Sequence, residues 1–103
     1  MINGDTNEFL DGILWGQECW LKYNGNVHFI QGWTTDDGKY HLVHEFYEIH
    51  GDPANWTYDA NRNWEAVDED NEICVKAFLE APIWDGKKFW QAESEIEWME
   101  NPL

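Results

Sequence analysis

Three histidines are the residues best suited to metal or acid–base chemistry, and His41, His44 and His50 fall within one short run. The run at 40–50, YHLVHEFYEIH, alternates in the way a strand does, and positions an odd number apart in a strand point to opposite faces. His41 and His44 therefore cannot share the several ligand positions that zinc requires. We expect one partly buried histidine and two surface histidines, and we predict no cofactor.

An acidic stretch imitates a calcium-binding loop. Asp59, Asn61 and Asn63 alternate, Glu65 stands at the seventh place and Asp70 at the twelfth. The sixth place, where the sharp turn of such a loop needs glycine, is a tryptophan, and an aspartate replaces the final bidentate glutamate. A solvated acidic segment is the simpler interpretation. We therefore predict no tight calcium binding and assign no metal ligand.

The carboxylates Asp68, Glu69 and Asp70 form the densest anionic cluster. No neighbour in the sequence would raise one carboxyl pKa above the others, as acid catalysis requires. Acidic residues at a helix start are stabilised by the helix dipole, so the cluster has a structural explanation, although it can also face a basic partner. Because a nucleophile elbow, a P-loop, a dinucleotide fingerprint and an HExxH motif are also lacking, we assign no catalytic residue and expect no enzyme.

Aromatic residues are interleaved with this polar stretch. Trp56, Tyr58 and Trp64 stand among asparagines and aspartates, a combination that suits a carbohydrate platform. Tryptophan and tyrosine also dominate protein interfaces. The alternative is that the rings fix the segment to the core, since tryptophan is highly buried on average. We expect at least one of the three rings to be partly exposed.

Charge narrows the class of partner. The formal net charge is −15, from 21 acidic against six basic residues. Nucleic acid binding needs lysine and arginine to displace counterions, and an anionic membrane would repel this chain as well. A basic protein would be attracted and its association steered. The acidity can equally serve solubility alone.

The elements that must position these residues follow from hydrophobic periodicity and turn signals. Asp5 is the predicted N-cap of the first helix, and Asn24-Gly25 predicts a tight two-residue hairpin turn. The chain is expected to form, in order, a helix over 5–15, strands over 17–24, 26–35 and 40–50, an ordered loop over 51–66, and helices over 68–81 and from 85 or 86 to about 100. The predicted buried stripes are Ile73, Ala77 and Phe78 in the second helix and Phe89, Ala92, Ile96 and Met99 in the third.

These elements predict a single domain over residues 1–103 of the α+β class: a three-stranded antiparallel meander with helices packed on it, in the order α-β-β-β-loop-α-α. The eight tryptophans supply much of the apolar surface that such a core needs. Cys19 and Cys74 lack metal-site spacing and are expected to be free, buried thiols. The start, MINGDTNEFL, shows no basic segment before an apolar run, so a cytoplasmic location is expected.

Two segments carry a resemblance. The C-terminal run FLEAPIWDGKKFWQAESEI, from Phe78 to Ile96, resembles the corresponding segment of small uncharacterised bacterial proteins, and the hairpin YNGNVHFIQGW is similar to theirs. Together they cover under a third of the chain. The resemblance implies the architecture and transfers no functional residue.

The favoured hypothesis is an acidic protein-interaction module, of the kind that inhibitors, immunity proteins and nucleic-acid mimics represent, which occupies a basic partner surface. Between Tyr40 and Val75 there are nine acids and one base, Arg62. The predicted partner-binding residues are Trp56, Tyr58, Asp59, Trp64, Glu65, Asp68, Glu69 and Asp70. The alternatives are a small-ligand or carbohydrate module using the tryptophan-rich loop 55–64, a regulatory subunit of an oligomer, and a domain whose acidity only confers solubility. The sequence does not indicate the oligomeric state.

Overall fold

The computed structural model describes residues 1–52 and 54–102, with the side chain of Trp56 outside the description. The helices are α1 (Thr6–Leu14), α2 (Asn71–Glu80) and α3 (Phe89–Ala92), the last continued by a 3₁₀ turn over Glu93–Glu95. The strands are β1 (Cys19–Tyr23), β2 (Asn26–Thr34), β3 (Tyr40–Asp52), β4 (Asn55–Asp68) and β5 (Glu97–Met99). They form one antiparallel sheet in the order β4-β3-β2-β1-β5.

The first helix and the first hairpin confirm the local predictions. The Asp5 side chain accepts a hydrogen bond from the Glu8 amide at 2.9 Å and so caps α1. Asn24 and Gly25 both have positive φ, 49° and 78°, which is the backbone of a type I′ turn. This turn matches the right-handed twist of β1 and β2 and fixes their register, in which Tyr23 faces Asn26.

The loop predicted over 51–66 is wrong, because this segment is most of β4. Its asparagines and aspartates disfavour a strand, but Thr57, Tyr58 and Trp64 favour one. Pairing along almost the whole of β3 satisfies the backbone hydrogen bonds of the segment, and this outweighs the local preference. The meander therefore has four strands in sequence, joined by β5 at the other edge.

The long third helix is also wrong, since α3 ends at Ala92 and residues 97–99 are β5. A helix to residue 100 would place Glu95, Glu97 and Glu100 in its last turns, where the helix dipole repels negative charge. The segment instead pairs with the free edge of β1, with Trp98 opposite Leu21. The predicted stripe residues Phe89, Ala92 and Ile96 are nonetheless buried.

The helices pack on one face of the sheet and enclose the main core. Phe9 of α1, Phe78 of α2 and Phe89 of α3 are fully buried, with ring centroids 5.7 to 6.2 Å apart. Against them lie alternate strand residues such as Leu21 and Leu42. In α2 the predicted stripe is partly wrong: Ile73 is 49% exposed, and Cys74 is buried in its place because it shares the face of Phe78, four residues further along the helix.

Both thiols are free and buried, as predicted for Cys19 and Cys74. In the described part of the chain, no helix is long and apolar enough to cross a membrane.

Candidate functional site

The face of the sheet that turns away from the helices carries a row of aromatic rings. This open face receives Trp20 from β1, Phe29 from β2, Tyr47 from β3 and Tyr58 from β4, which we call the aromatic row. Neighbouring ring centroids are 4.4 Å apart for Trp20 and Phe29, 4.8 Å for Trp20 and Tyr47, and 5.3 Å for Tyr47 and Tyr58. The row therefore crosses four strands.

Strand register places these rings together. Trp20 lies directly opposite Phe29, while Tyr47 and Tyr58 are diagonal neighbours because Ala60 faces Tyr47 and Ile49 faces Tyr58. Cross-strand aromatic pairs at such spacings stabilise a sheet. Trp20 and Phe29 are buried by these contacts, although they belong to a different cluster from the core under the helices.

The open face also exposes large apolar side chains. Trp33, Ile49, Tyr58 and Val67 are between 39% and 50% exposed. By strand alternation all four share the face of the aromatic row, with Trp33 and Val67 on either side of His41 and with Ile49 opposite Tyr58 further along the strands.

Carboxylates flank the row. Glu45 lies directly opposite Phe29. The pKa of Tyr47 is raised by burial first and then by the negative charge of Glu45, by Tyr58 and by Glu18. The two glutamates thus create a negative potential where the tyrosine hydroxyl lies, and that potential favours a cation.

On the rest of the open face, the Glu65 carboxylate contacts His41 and Arg62. The carboxylate is 2.6 Å from Nε2 of His41 and 3.0 Å from the Arg62 guanidinium. The hydrogen bond to His41, followed by the contact with Arg62, holds the pKa of Glu65 below its usual value. His41 packs in turn on Trp33, with ring centroids 4.6 Å apart.

The residues predicted to bind a partner are divided between two faces. Tyr58 and Glu65 lie on the open face. Trp64 lies on the helix side, half-buried against Phe78 at 5.8 Å, and Asp59 is exposed on that side as well. Tyr58 and Trp64 therefore cannot form one carbohydrate platform, and the third ring of that hypothesis, Trp56, has its side chain outside the described residues.

The anionic cluster lies in the turn between β4 and α2. Asp68 accepts a hydrogen bond from the Asp70 amide, and Asp70 accepts one from the Glu72 amide, both at 2.9 Å. Asp70 is thus the N-cap of α2. Glu69 is exposed beside them, so two of the three carboxylates have the structural role that the sequence suggested.

The stretch that imitates a calcium loop is extended strand. Successive side chains of Asp59 to Glu65 alternate between faces, apart from a bulge where the register shifts between His44 and Glu45 of the partner strand. An extended strand cannot wrap its own side chains around one ion. The expectation of no tight calcium binding stays a prediction, with this geometry as its reason.

Another group of possible ligands is exposed. Glu48, His50 and Asp59 place ligand atoms within 4.8 Å of one another. His50 is 3.7 Å from the Glu48 carboxylate and 3.4 Å from that of Asp59, and all three side chains are exposed, an arrangement that is common without a bound ion.

Two histidines are buried together under the helix side of the sheet. His28 Nδ1 is 2.8 Å from His44 Nε2, and His44 Nδ1 is 3.2 Å from the Asn63 amide nitrogen. Both rings are at most 1% exposed. His41 and His44 lie on opposite faces, as strand alternation predicts, whereas the role of His28 was not predicted. The hairpin register could have identified it, because His28 shares the face of Ile30.

Buried polar atoms without hydrogen-bond partners in the described part of the chain lie in and beside this histidine pair. Among the described residues, His28 Nε2, Tyr23 Oη and Trp84 Nε1 are buried without a hydrogen-bond partner. The Trp84 ring stacks on His28 at 4.7 Å and meets the edge of Tyr23 at 5.7 Å. Buried polar atoms of this kind are rare in native structures and often indicate a functional role.

Comparisons with protein-family models, with curated proteins and with solved structures give no match. The resemblance of the hairpin and the C-terminal segment to small bacterial proteins therefore stays a prediction. Two features of the structure bear on function: the open face with its aromatic row, and the buried histidine pair.

Proposed function

We propose that this protein is an acidic interaction module that binds a basic protein through the open face of its sheet. The observation that carries the proposal is the aromatic row with Glu18 and Glu45 acting on it. Aromatic rings flanked by carboxylates can hold a lysine or arginine side chain by cation–π attraction and by charge together.

The chemistry of the surface favours this partner over the other classes. The net charge of −15 opposes nucleic acid and also opposes a second copy of the same chain. Ile49 lies opposite Tyr58 and extends the row, and Trp33 and Val67, on either side of His41, add exposed apolar surface at the other end of the strands. Interfaces with buried aromatic anchors and charged rims obtain affinity from the anchors and association rate from the charges.

The earlier site prediction changes accordingly. Tyr58 and Glu65 stay in the proposed interface, and Glu69 lies at the end of β4, where it adds to the negative field. Trp64 packs on the core and Asp59 is on the other face, so neither belongs to the interface proposed here. Asp68 and Asp70 act in the turn before α2.

A capture experiment with matched variants tests the proposal. The immobilised protein is exposed to host lysate and washed at increasing salt, and any captured protein is then measured against purified variants. We expect Y58A to accelerate dissociation and E45K to slow association, each by about tenfold or more. The controls are W15A, which removes another exposed ring, and D59K, which makes the same charge reversal on the opposite face.

The controls should retain the wild-type rates. A captured partner whose affinity is unchanged by both open-face variants and by salt would contradict the proposal, and the acidity would then serve solubility. Sedimentation of the purified protein separates the remaining alternative, because concentration-dependent dimers lost in Y58A would identify a second copy as the occupant.

A further inference from the structure

We infer that the His28–His44 pair is a proton-operated latch, which holds the connector between α2 and α3, residues 81–88, against the sheet while both imidazoles are neutral. The inference is independent of the proposed partner. It begins from the position of Trp84, the fully buried ring of the connector.

Trp84 is the part of the connector that the pair holds. Its ring stacks on His28 at 4.7 Å and lies 5.8 Å from His44 and 6.3 Å from Phe78 of α2. The chain then turns back, with Trp84 and Lys87 exchanging backbone hydrogen bonds at 3.2 and 3.0 Å. The Asn24 amide, in the β1–β2 turn, donates to the Asp85 carboxylate at 2.6 Å.

With the Asn63 side-chain amide in its present orientation, the two hydrogen bonds of the pair form together only in the neutral state, and His28 Nε2 has no partner among the described residues. Asn63 donates to His44 Nδ1, so His44 carries its proton on Nε2 and donates it to His28 Nδ1. The remaining proton of His28 is then on Nε2. A further proton on His28 Nδ1 would face the Nε2–H group of His44, and one on His44 Nδ1 would face the side-chain NH2 group of Asn63. Facing N–H groups repel each other, unless the Asn63 side-chain amide rotates so that its oxygen accepts the hydrogen bond.

Burial also opposes protonation of both rings. The groups that face the pair include Tyr23 from β1, Phe46 from β3, Asn63 from β4, and Trp84 and Asp85 from the connector. Burial disfavours protonation of His28, and the negative charge of the Asp85 carboxylate favours protonation to a smaller extent. Burial lowers the pKa of His28 to about 4, and burial together with the charge of His28 lowers the pKa of His44 to about 3.

The sign of the effect follows from these shifts. An open form in which the imidazoles reach water has the ordinary histidine pKa of about 6.5 and binds protons that the closed form rejects. The closed form is thus fully favoured above about pH 6.5 and loses its advantage as the pH falls toward 4. Each histidine contributes up to about a tenfold change in the open fraction per pH unit.

Trp84 makes the connector the segment to open, because removing its ring is the shortest way to let water reach both imidazoles. The sheet itself can stay paired, since β2 and β3 hold His28 and His44 through backbone hydrogen bonds over their whole shared length. The expected response to acid is therefore local opening at residues 81–88 before global unfolding.

Hydrogen exchange followed by NMR tests the latch. The backbone amides of Trp84 and Lys87 report the connector, and amides of β2 and β3 report the sheet, at pH 7.5, 6.5, 5.5 and 4.5 with intrinsic rates corrected. We expect connector protection to fall roughly tenfold or more per pH unit below 6.5 while sheet protection is retained. His imidazole carbon shifts in the same samples should show two rings that titrate only as the connector opens.

Two variants separate the latch from a general acid effect. H28N keeps an acceptor where Nδ1 stands and cannot titrate, so the fall in connector protection should become shallower. H50N removes an exposed histidine of β3 and should change nothing. The latch is contradicted if connector protection is constant down to pH 4.5, if the sheet loses protection in parallel, or if both imidazoles titrate near 6.5 with Trp84 in place. All three outcomes are measured in the wild-type protein, so the test survives a failure of H28N to fold.

Discussion

At the scale of single residues, the two thiols show how burial controls reactivity. Burial raises the pKa of Cys19 to about 12 and also raises that of Cys74, which Asp68 raises further. At pH 8 a rise from 9.0 to about 12 lowers the thiolate fraction of Cys19 on the order of a thousandfold, and the thiolate is the reactive form.

We therefore predict that a soluble aromatic disulfide reagent labels both thiols far more slowly in the native protein than in denaturant at the same pH. The absorbance of the released thiolate measures the rate. Denatured protein is the control, and rapid labelling of two thiols under native conditions would show that the burial described here is wrong.

Residues whose role is local were predictable, and residues whose role depends on register were not. Asp5 caps its own helix, and Asn24-Gly25 forms its own turn, so each is determined within a few positions of the chain. His28 acquires its role only when β2 aligns with β3, which brings its ring to His44 across 16 residues of sequence. The aromatic row needs four strands in register before it exists.

At the scale of elements, Gly16 and Gly25 share a positive φ but differ in how closely other atoms approach them. Gly25 has φ +78° with no atom within 4 Å of an added Cβ, whereas Gly16 has φ +83° and an added Cβ would stand 2.5 Å from the Gly32 carbonyl oxygen. Gly16 closes α1 and lies against β2, while Gly25 lies in the open tip of the first hairpin.

We predict that G25A lowers the free energy of unfolding by about 1–2 kcal/mol, the cost of a left-handed conformation alone. G16A should cost at least about 1 kcal/mol more, because a backbone carbonyl must move as well. Urea denaturation measures both. Equal losses in the two variants would contradict the close approach of α1 to β2.

The element errors have one physical cause. Local composition describes what a segment prefers in isolation, and both errors are segments that pair with a strand edge left free by the predicted meander. β4 pairs with the edge of β3, and β5 pairs with the edge of β1. Unpaired backbone groups at such edges recruit segments that have only moderate strand preference.

At the scale of the whole molecule, the net charge of −15 works against compactness. Exposed carboxylates repel one another over distances comparable to the Debye length, which is about 30 Å at 0.01 M salt and about 3 Å at 1 M. We predict that raising sodium chloride from about 10 mM to 0.5 M raises the midpoint of thermal unfolding at pH 7.5.

A charge-reduced variant is the control for this salt effect. Asp11→Asn, Asp36→Asn and Glu100→Gln together remove three negative charges at exposed positions. The variant should start from a higher midpoint at low salt and gain less from added salt. If wild type and variant respond equally, repulsion between carboxylates is not what the salt relieves.

Composition bears on the class of partner but not on the place where a partner binds. The acidity predicts which classes of ligand are disfavoured, yet it does not locate an interface, because carboxylates are spread over both faces. One face of the sheet is left open because the helices pack on the opposite face, and this arrangement exists only once the layers have assembled.

The position of β4 has one more consequence. One side of this strand pairs with β3, and within the described residues no strand pairs with the other. At neutral pH the carboxylates of two molecules keep such edges apart. Near the isoelectric point, at about pH 4.2, that repulsion disappears, and the exposed edge becomes a template for intermolecular sheet growth. Acidification thus lowers the colloidal stability of this protein by protonating its carboxylates, over a pH range that overlaps the one in which we propose that protonation of His28 and His44 releases the connector.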